Sequence, residues 1–285
     1  MRFSDEAERF MRVGGDRLVE LAGLLSGLGL RYSVVKIGEA RHLLTRVGKG
    51  RPRLALVAHY DRAPGSSGAL DNSCACLQLA AFAARQARTR ESAGPHASSG
   101  SPILFAFTDA EEAPASGEAS TQGSYALARS LKALGGAGEG MAALVLDVTG
   151  RGGRLLLSTA PAELLARNGL GNSPAAAGYR SLVSFAERAA AQARLPPPLG
   201  AALPWSDDLG LTLGGLPALT VSLLPESEVP LLAAGKKPPT WELLHTAADR
   251  PDRAESGAFD LMASFLDAVA GCLNASPGSE LVPGP

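Results

Sequence analysis

Several short runs of the chain are apolar at every position: Leu54–Ala58, Ile103–Phe107 and Ala142–Leu146. A half-exposed strand alternates polar and apolar side chains, so a run without alternation predicts a strand covered on both faces. Leu155–Leu157 and Ala218–Leu223 extend the series, while Tyr32–Ile37 and His42–Val47 mix polar with apolar residues and read as strands near a sheet edge. Helical spacing appears elsewhere. Phe10, Val13, Leu18, Leu21, Leu24 and Leu25 predict a helix over 5–28, interrupted at Gly14-Gly15. Further helices are predicted over Asn72–Gln86, Gly123–Leu134 and Ala254–Leu273, and over Ser181–Arg194, which the prolines Pro196–Pro198 stop. The segments 61–70, 91–101 and 225–239 are rich in Gly, Ser or Pro and read as connections. Strands alternating with helices imply an α/β protein: three layers, α/β/α, around a mostly parallel mixed sheet. We expect one domain over 1–273 and a flexible tail over 274–285.

Composition narrows the picture. Apolar residues make up 46% and aromatics only 5%, so the core must consist mainly of Ala, Leu and Val. A net charge of −1 gives no electrostatic ground for binding nucleic acid or an anionic membrane. Cys74, Cys76 and Cys272 form no disulfide framework and read as small core residues in a reducing compartment. Residues 1–15 mix acids and bases without an apolar centre, so no signal peptide is expected. No run approaches ~18 consecutive apolar residues, so no membrane span is expected either. The simplest expectation is a cytoplasmic enzyme, monomeric or a simple homo-oligomer.

The chemistry lies where the apolar runs end. Leu56-Val57-Ala58 runs into His59-Tyr60-Asp61, Phe105-Ala106-Phe107 into Thr108-Asp109-Ala110-Glu111-Glu112, and Leu144-Val145-Leu146 into Asp147. Ligands of open α/β sheets bind outside the carboxyl ends of strands, so these ends bring carboxylates and an imidazole to one rim. Such a cluster repels itself unless a cation neutralises it. Imidazole and carboxylate without thiolate suit Zn, Mn or Co. Two carboxylate-rich half-sites suit a pair of metals that acidify a water and polarise a carbonyl. Each part alone has an ordinary explanation: Glu111-Glu112 as a solvated pair, Asp71 as a helix cap, Asp147 as a turn residue, His245 as a loop histidine. Their joint order and strand-end placement make the pattern specific.

These residues resemble a known family. Val57-Ala58-His59-Tyr60-Asp61, followed by Gly68-Ala69-Leu70-Asp71-Asn72, is similar to the metal-binding signature of the zinc aminopeptidases of metallopeptidase family twenty-eight. That family includes leucyl aminopeptidases, glutamate carboxypeptidase II and the glutaminyl cyclases. Glu111-Glu112, Asp147, Trp205-Ser206-Asp207-Asp208, Gly215-Leu216-Pro217-Ala218 and Leu244-His245-Thr246 with Asp249 match its later segments in order. The resemblance implies the zinc-peptidase, phosphorylase/hydrolase-like fold and two Zn2+, with Mn2+ or Co2+ as possible substitutes. It implies His59 and Asp147 on one metal, Glu112 and His245 on the other, and Asp71 between them. Glu111 would be the general base, and Asp61 would orient the His59 imidazole. A cis peptide after Asp71 is expected on the same ground. The chain departs from the family in three places. Pro114–Gln122 lengthens the interval before Gly123-Ser124, which predicts a longer rim loop. Asp208 stands where a His is common, and Leu244 where some relatives carry a Tyr, which leaves the oxyanion donor unassigned. Trp241, Tyr60 and Trp205 are candidate walls of the substrate pocket.

The expected activity is hydrolysis of a peptide or aminoacyl amide, most simply as an aminopeptidase. A single-zinc glutaminyl cyclase and an inactive peptidase-like binding protein are the alternatives. A deacylase with an inserted domain fits poorly, because Asp147 to His245 is too short an interval.

Overall fold

The apolar runs form the centre of one sheet in the computed structural model, which describes residues 3–92, 100–112, 118–133, 140–275 and 281. In chain order the elements are α1 (Asp5–Phe10), α2 (Arg17–Gly27), β1 (Ser33–Ile37), β2 (Ala40–Val47), β3 (Leu54–His59), α3 (Cys74–Ser92), β4 (Ile103–Thr108), α4 (Gly123–Ala133), β5 (Ala142–Leu146), β6 (Arg154–Ser158), α5 (Ala160–Arg167), α6 (Pro174–Gln192), β7 (Leu199–Ala201), α7 (Asp207–Leu213), β8 (Ala218–Leu224), α8 (Val229–Ala233), α9 (Pro239–Leu243) and α10 (Ser256–Ala275). Among the described residues the sheet has eight strands, in the order β1-β2-β4-β3-β5-β8-β6-β7. Its centre, β4-β3-β5-β8, is parallel, whereas β1, β2 and β6 join antiparallel to their inner neighbours.

Alternation along the strands divides the core into two layers. Leu54, Leu56 and Ala58 face the layer of α2, α3, α6 and α10, while Ala55 and Val57 face the layer of α4 and α7. By length and composition α10 could cross a membrane. Here it is a core helix: Met262, Phe265, Leu266 and Val269 are buried, and it packs on α3 and α6. Cys74 and Cys76 are fully buried, and the three thiols are unpaired.

The helix expected over 5–28 is two helices. Ser4 and Asp16 each cap an N-terminus, and Gly14 turns the chain at φ 87°. α3 starts at Cys74 rather than Asn72, because Asp71 and Asn72 have non-helical dihedrals. α6 starts at Pro174, well before Ser181; its Pro-Ala-Ala-Ala-Gly opening carries little hydrophobic periodicity but has Ser173 as cap and Pro at its first position. The Pro-rich segment 225–239 contains α8, and α5, α7, α9 and β7 are short elements without a clear sequence period. Of the expected tail, Asn274 and Ala275 are helical and Leu281 is buried in the core, while 276–280 and 282–285 lie outside the described residues. Residues 93–99 of the polar connection and 113–117 of the expected rim loop also lie outside them.

Candidate metal centre

Strand periodicity and register bring the first donors together. Ala55, Val57 and His59 share one face of β3, and Ala143 and Val145 share that face of β5 with Asp147 two residues on. Val57 lies opposite Val145, so Asp147 falls opposite His59. Their atoms confirm it: His59 Nε2 stands 3.6 Å from Asp147 Oδ1. On the other side of β3, His59 pairs with Thr108, which leads directly to Asp109, Ala110, Glu111 and Glu112.

Asp71 reaches the same point from the loop before α3. The Asp71–Asn72 peptide is cis. Asn72 ties the loop to the end of β5: its Nδ2 donates to Leu146 O at 2.8 Å, and its Oδ1 accepts from Val148 N at 3.3 Å. The carboxylate of Asp249 accepts the N–H of Leu70 at 2.7 Å and of Asp71 at 3.2 Å, joining this loop to the one that carries His245. Gly68 is needed at the turn, since it has φ 59° and a Cβ there would sit 2.7 Å from Asp71 O. From below, the buried guanidinium of Arg17 donates to Tyr60 O, between His59 and Asp61, and to Ser73 Oγ. Arg17 also lies 3.9 Å over the Phe10 ring. One side chain of α2 thus holds both the His59 and the Asp71 loops.

The two oxygens of Asp71 face two different imidazoles. Oδ1 is 3.1 Å from His59 Nε2, and Oδ2 is 3.1 Å from His245 Nε2. Glu112 Oε2 lies 3.2 Å from His245 Nε2. Donor atoms of His59, Asp71 and Asp147 lie within 4.8 Å of one another, as do those of Asp71, Glu112 and His245, and those of His59, Glu111 and Glu112. Asp61 links the groups: its Oδ2 accepts Glu112 N–H at 3.0 Å, and its Oδ1 stands 3.4 Å from His59 Nδ1, long for a hydrogen bond.

This arrangement fits divalent cations. His59 Nε2, Glu112 Oε1 and Asp147 Oδ1 are buried without hydrogen-bond partners among the described residues. Buried polar atoms are normally paired, so converging unpaired ones call for a ligand. Electrostatics agree. Burial pushes Glu111 and Asp147 up, and pushes Glu112 up to about 7. Burial would lower His59, but Glu111 and the carboxylates of Asp147, Asp61 and Asp71 together raise it. Contact with Asp71 raises His245. Burial would raise Asp71 too, but the two histidines hold it well below the usual carboxylate range. Imidazole and carboxylate donors in two triads with a shared Asp match zinc, manganese or cobalt.

Backbone conformation also marks the rim. Ala110, Val148 and His245 adopt left-handed φ of 62°, 51° and 61°. Each sits at or beside a residue of the cluster, and such conformations cost about 1–3 kcal/mol apiece for non-glycine residues.

A cavity of about 440 Å3 opens over the cluster, bounded by Asp71, Glu111, Glu112, Asp147 and His245 on the donor side. Trp205 and Trp241 also line it. Tyr60 does not: it is buried, and its hydroxyl donates to Arg41 O at 2.7 Å, so it is a packing residue and not a pocket wall. Asp208, at the position where a His is common, is buried behind the site. Burial pushes it up to about 7, and it accepts Thr220 N–H at 3.2 Å.

Sequence reasoning missed Gln122. Its Nε2 donates to Glu111 Oε1 at 3.3 Å and to Ser206 O at 3.3 Å, and its Oε1 accepts Gly210 N–H at 3.0 Å. Gly210 permits this approach, since a Cβ there would lie 2.7 Å from Gln122 Oε1. Gln122 ends the interval that departs from the family spacing, and that insertion was the available signal. Lys237, also on the cavity wall, lay in a Pro-rich segment with no motif.

The model of Peptidase family M28 matches residues 43–270. No curated protein sequence matches. Among solved structures, the aminopeptidase LapA of Legionella pneumophila superposes with a TM-score of 0.65 at 16% identity, covering 95% of this chain and 69% of that one. A Zn-dependent exopeptidase from Parabacteroides distasonis superposes with 0.65 at 14% identity, covering 95% of each. The glutaminyl cyclase of Porphyromonas gingivalis does so with 0.65 at 15% identity, covering 95% of this chain and 94% of that one. These likenesses concern the fold.

Proposed function

The chain belongs to the metallopeptidase family M28, and we propose that it is a co-catalytic dinuclear zinc aminopeptidase acting on peptides or aminoacyl amides. The observation that carries this reading is Asp71, whose two oxygens each stand 3.1 Å from a different imidazole. Asp71 would bridge one zinc held by His59 and Asp147 and another held by Glu112 and His245. Mn2+ or Co2+ would suit the same donors. The same reading takes residues 1–273 as one catalytic unit.

Zinc, when bound, supplies Lewis acidity toward the scissile carbonyl and acidifies an attacking water. The remaining work belongs to side chains. Glu111 takes a proton from the water and returns it to the leaving amine, and burial gives it the raised proton affinity this requires. Gln122 holds the Glu111 carboxylate in place. Asp61 positions the His59 ring and the Glu112 backbone together. Trp205 and Trp241 bound the substrate pocket.

Metal analysis paired with Glu111→Gln tests the proposal. Two equivalents of metal are expected, with activity on aminoacyl anilides that falls about 10³-fold or more in Glu111→Gln while metal content is kept. Full activity in that variant removes Glu111 as base. One tightly held zinc with cyclisation of N-terminal glutamine instead supports the cyclase reading. No divalent metal bound at neutral pH leaves only a binding protein.

A further inference from the structure

A second cavity, of about 740 Å3, adjoins the first and shares Leu203, Pro204, Lys237 and Trp241 with it. On one side is β7, which ends the sheet, and on the other is α8 with Val229 and Leu232. Its lining is apolar except for Lys236 and Lys237. Lys237 stands on the common wall. Among the described residues it is the one Lys or Arg lining the first cavity, whose other charged groups are Asp71, Glu111, Glu112, Asp147 and His245. Yet no carboxylate among the described residues pairs with it.

The segment carrying Lys237 is pinned. The buried carboxylate of Glu228 accepts Thr240 N–H at 2.8 Å and Thr240 O–H at 2.9 Å, and Lys236 N–H donates to Leu231 O at 2.9 Å. The ammonium therefore projects from a backbone fixed at both ends, which lowers the entropy cost of using it for binding.

Charge decides which part of a substrate it meets. The free α-amine of a peptide is cationic in neutral solution and is repelled beside an ammonium, whereas the carboxylate group that ends a short peptide is attracted. Lys237 therefore marks the leaving side of the scissile bond. There a dipeptide presents one side chain and one carboxylate; the cavities present one apolar recess and, on the wall they share, the ammonium of Lys237. We infer that the second cavity receives the side chain of the leaving residue and that Lys237 pairs with its α-carboxylate. The favoured substrates are then dipeptides with an apolar second residue. This rests on the aminopeptidase reading and specifies its substrate class.

The test compares kcat/KM of the zinc-loaded full chain on alanyl-leucine, alanyl-leucine amide, alanyl-glycine and alanyl-aspartate α-amide, with alanyl anilide as the general substrate. Alanyl-leucine is expected to exceed its amide by about tenfold, the low end for a charge-assisted contact because Lys237 is exposed. That ratio should shrink at high salt and fall to about one in Lys237→Met, with the loss in KM. Alanyl-leucine should exceed alanyl-glycine by about tenfold, and Leu232→Trp, which fills the recess, should abolish the difference. Equal rates on acid and amide, or a ratio that survives Lys237→Met, overturn the inference while leaving anilide hydrolysis as support for the aminopeptidase. A Lys237-dependent preference for alanyl-aspartate α-amide equal to that for alanyl-leucine also overturns it, by assigning the lysine to an acidic side chain. Failure to cleave even the anilide overturns both readings.

Discussion

His59 and His245 face the same carboxylate at the same distance, 3.1 Å, but from opposite settings. His59 ends the central strand β3, is 1% exposed, and is ringed by Asp61, Asp71 and Asp147. His245 is 60% exposed, sits on a loop at φ 61°, and touches Asp71 and Glu112. One half of the candidate centre is built into the sheet, and its geometry is fixed by strand register. The other half depends on loops that Asp249 joins to the first. Equal distances thus conceal unequal rigidity, and the two halves should respond differently to perturbation.

Paired alanine variants give the largest contrast. Both His59→Ala and His245→Ala should cost about 10³-fold or more in turnover if each removes a ligand. Their metal-free stabilities should differ. His59→Ala leaves a buried void among carboxylates and should lose about 2–4 kcal/mol in urea unfolding. His245→Ala should stay within about 0.5 kcal/mol and keep one equivalent of metal. Equal destabilisation would remove the contrast.

Proton linkage comes next in size. Both histidines have folded pKa values raised above 6.5 by the carboxylates around them. In the metal-free protein each therefore contributes stability that is present below about 6.5 and lost as pH rises through its folded value. Metal requires neutral imidazole, so affinity moves the other way, rising by up to about tenfold per pH unit for each proton displaced. The gain in Tm on adding zinc should be small at pH 5 and large at pH 8. His245→Ala should make zinc affinity less steep by about one proton.

Smaller effects probe the supports. Gln122→Leu takes a donor from Glu111 and should lower kcat about tenfold with little change in KM. Ala110→Gly relieves a left-handed residue and should raise Tm by about 1–2 °C while lowering kcat about twofold, read by calorimetry and steady-state rates.

The rigid half was the more legible in the sequence. An apolar run ending in His59, and another ending in Asp147, give strand, burial and rim position from period alone, and the register then follows. Glu112 follows a third apolar run at several residues' distance, so the period gives its rim but not its partners, and His245 carries no such period and depended on resemblance to a family. Gln122 and Lys237 escaped altogether, because their positions come from a tertiary approach, through Gly210 in one case and a loop closed by Glu228 in the other. Tyr60 was misplaced for a related reason. It alternates with His59 along the chain and so points away from the site, into the core beneath Arg41.

Arg17 bears on how the protein can be cut and joined. The segment matched by the family begins at residue 43, but the cation that holds Tyr60 O and Ser73 Oγ comes from before it. A fragment trimmed to 43–270 would lose that guanidinium together with the buried Leu21 and Leu25, and would also drop Leu273 from the last turn of α10. Such a fragment retains the proposed ligands in sequence and removes the anchor of the loops that hold them. Fusion junctions and minimal expression units should therefore lie outside α1 and α10.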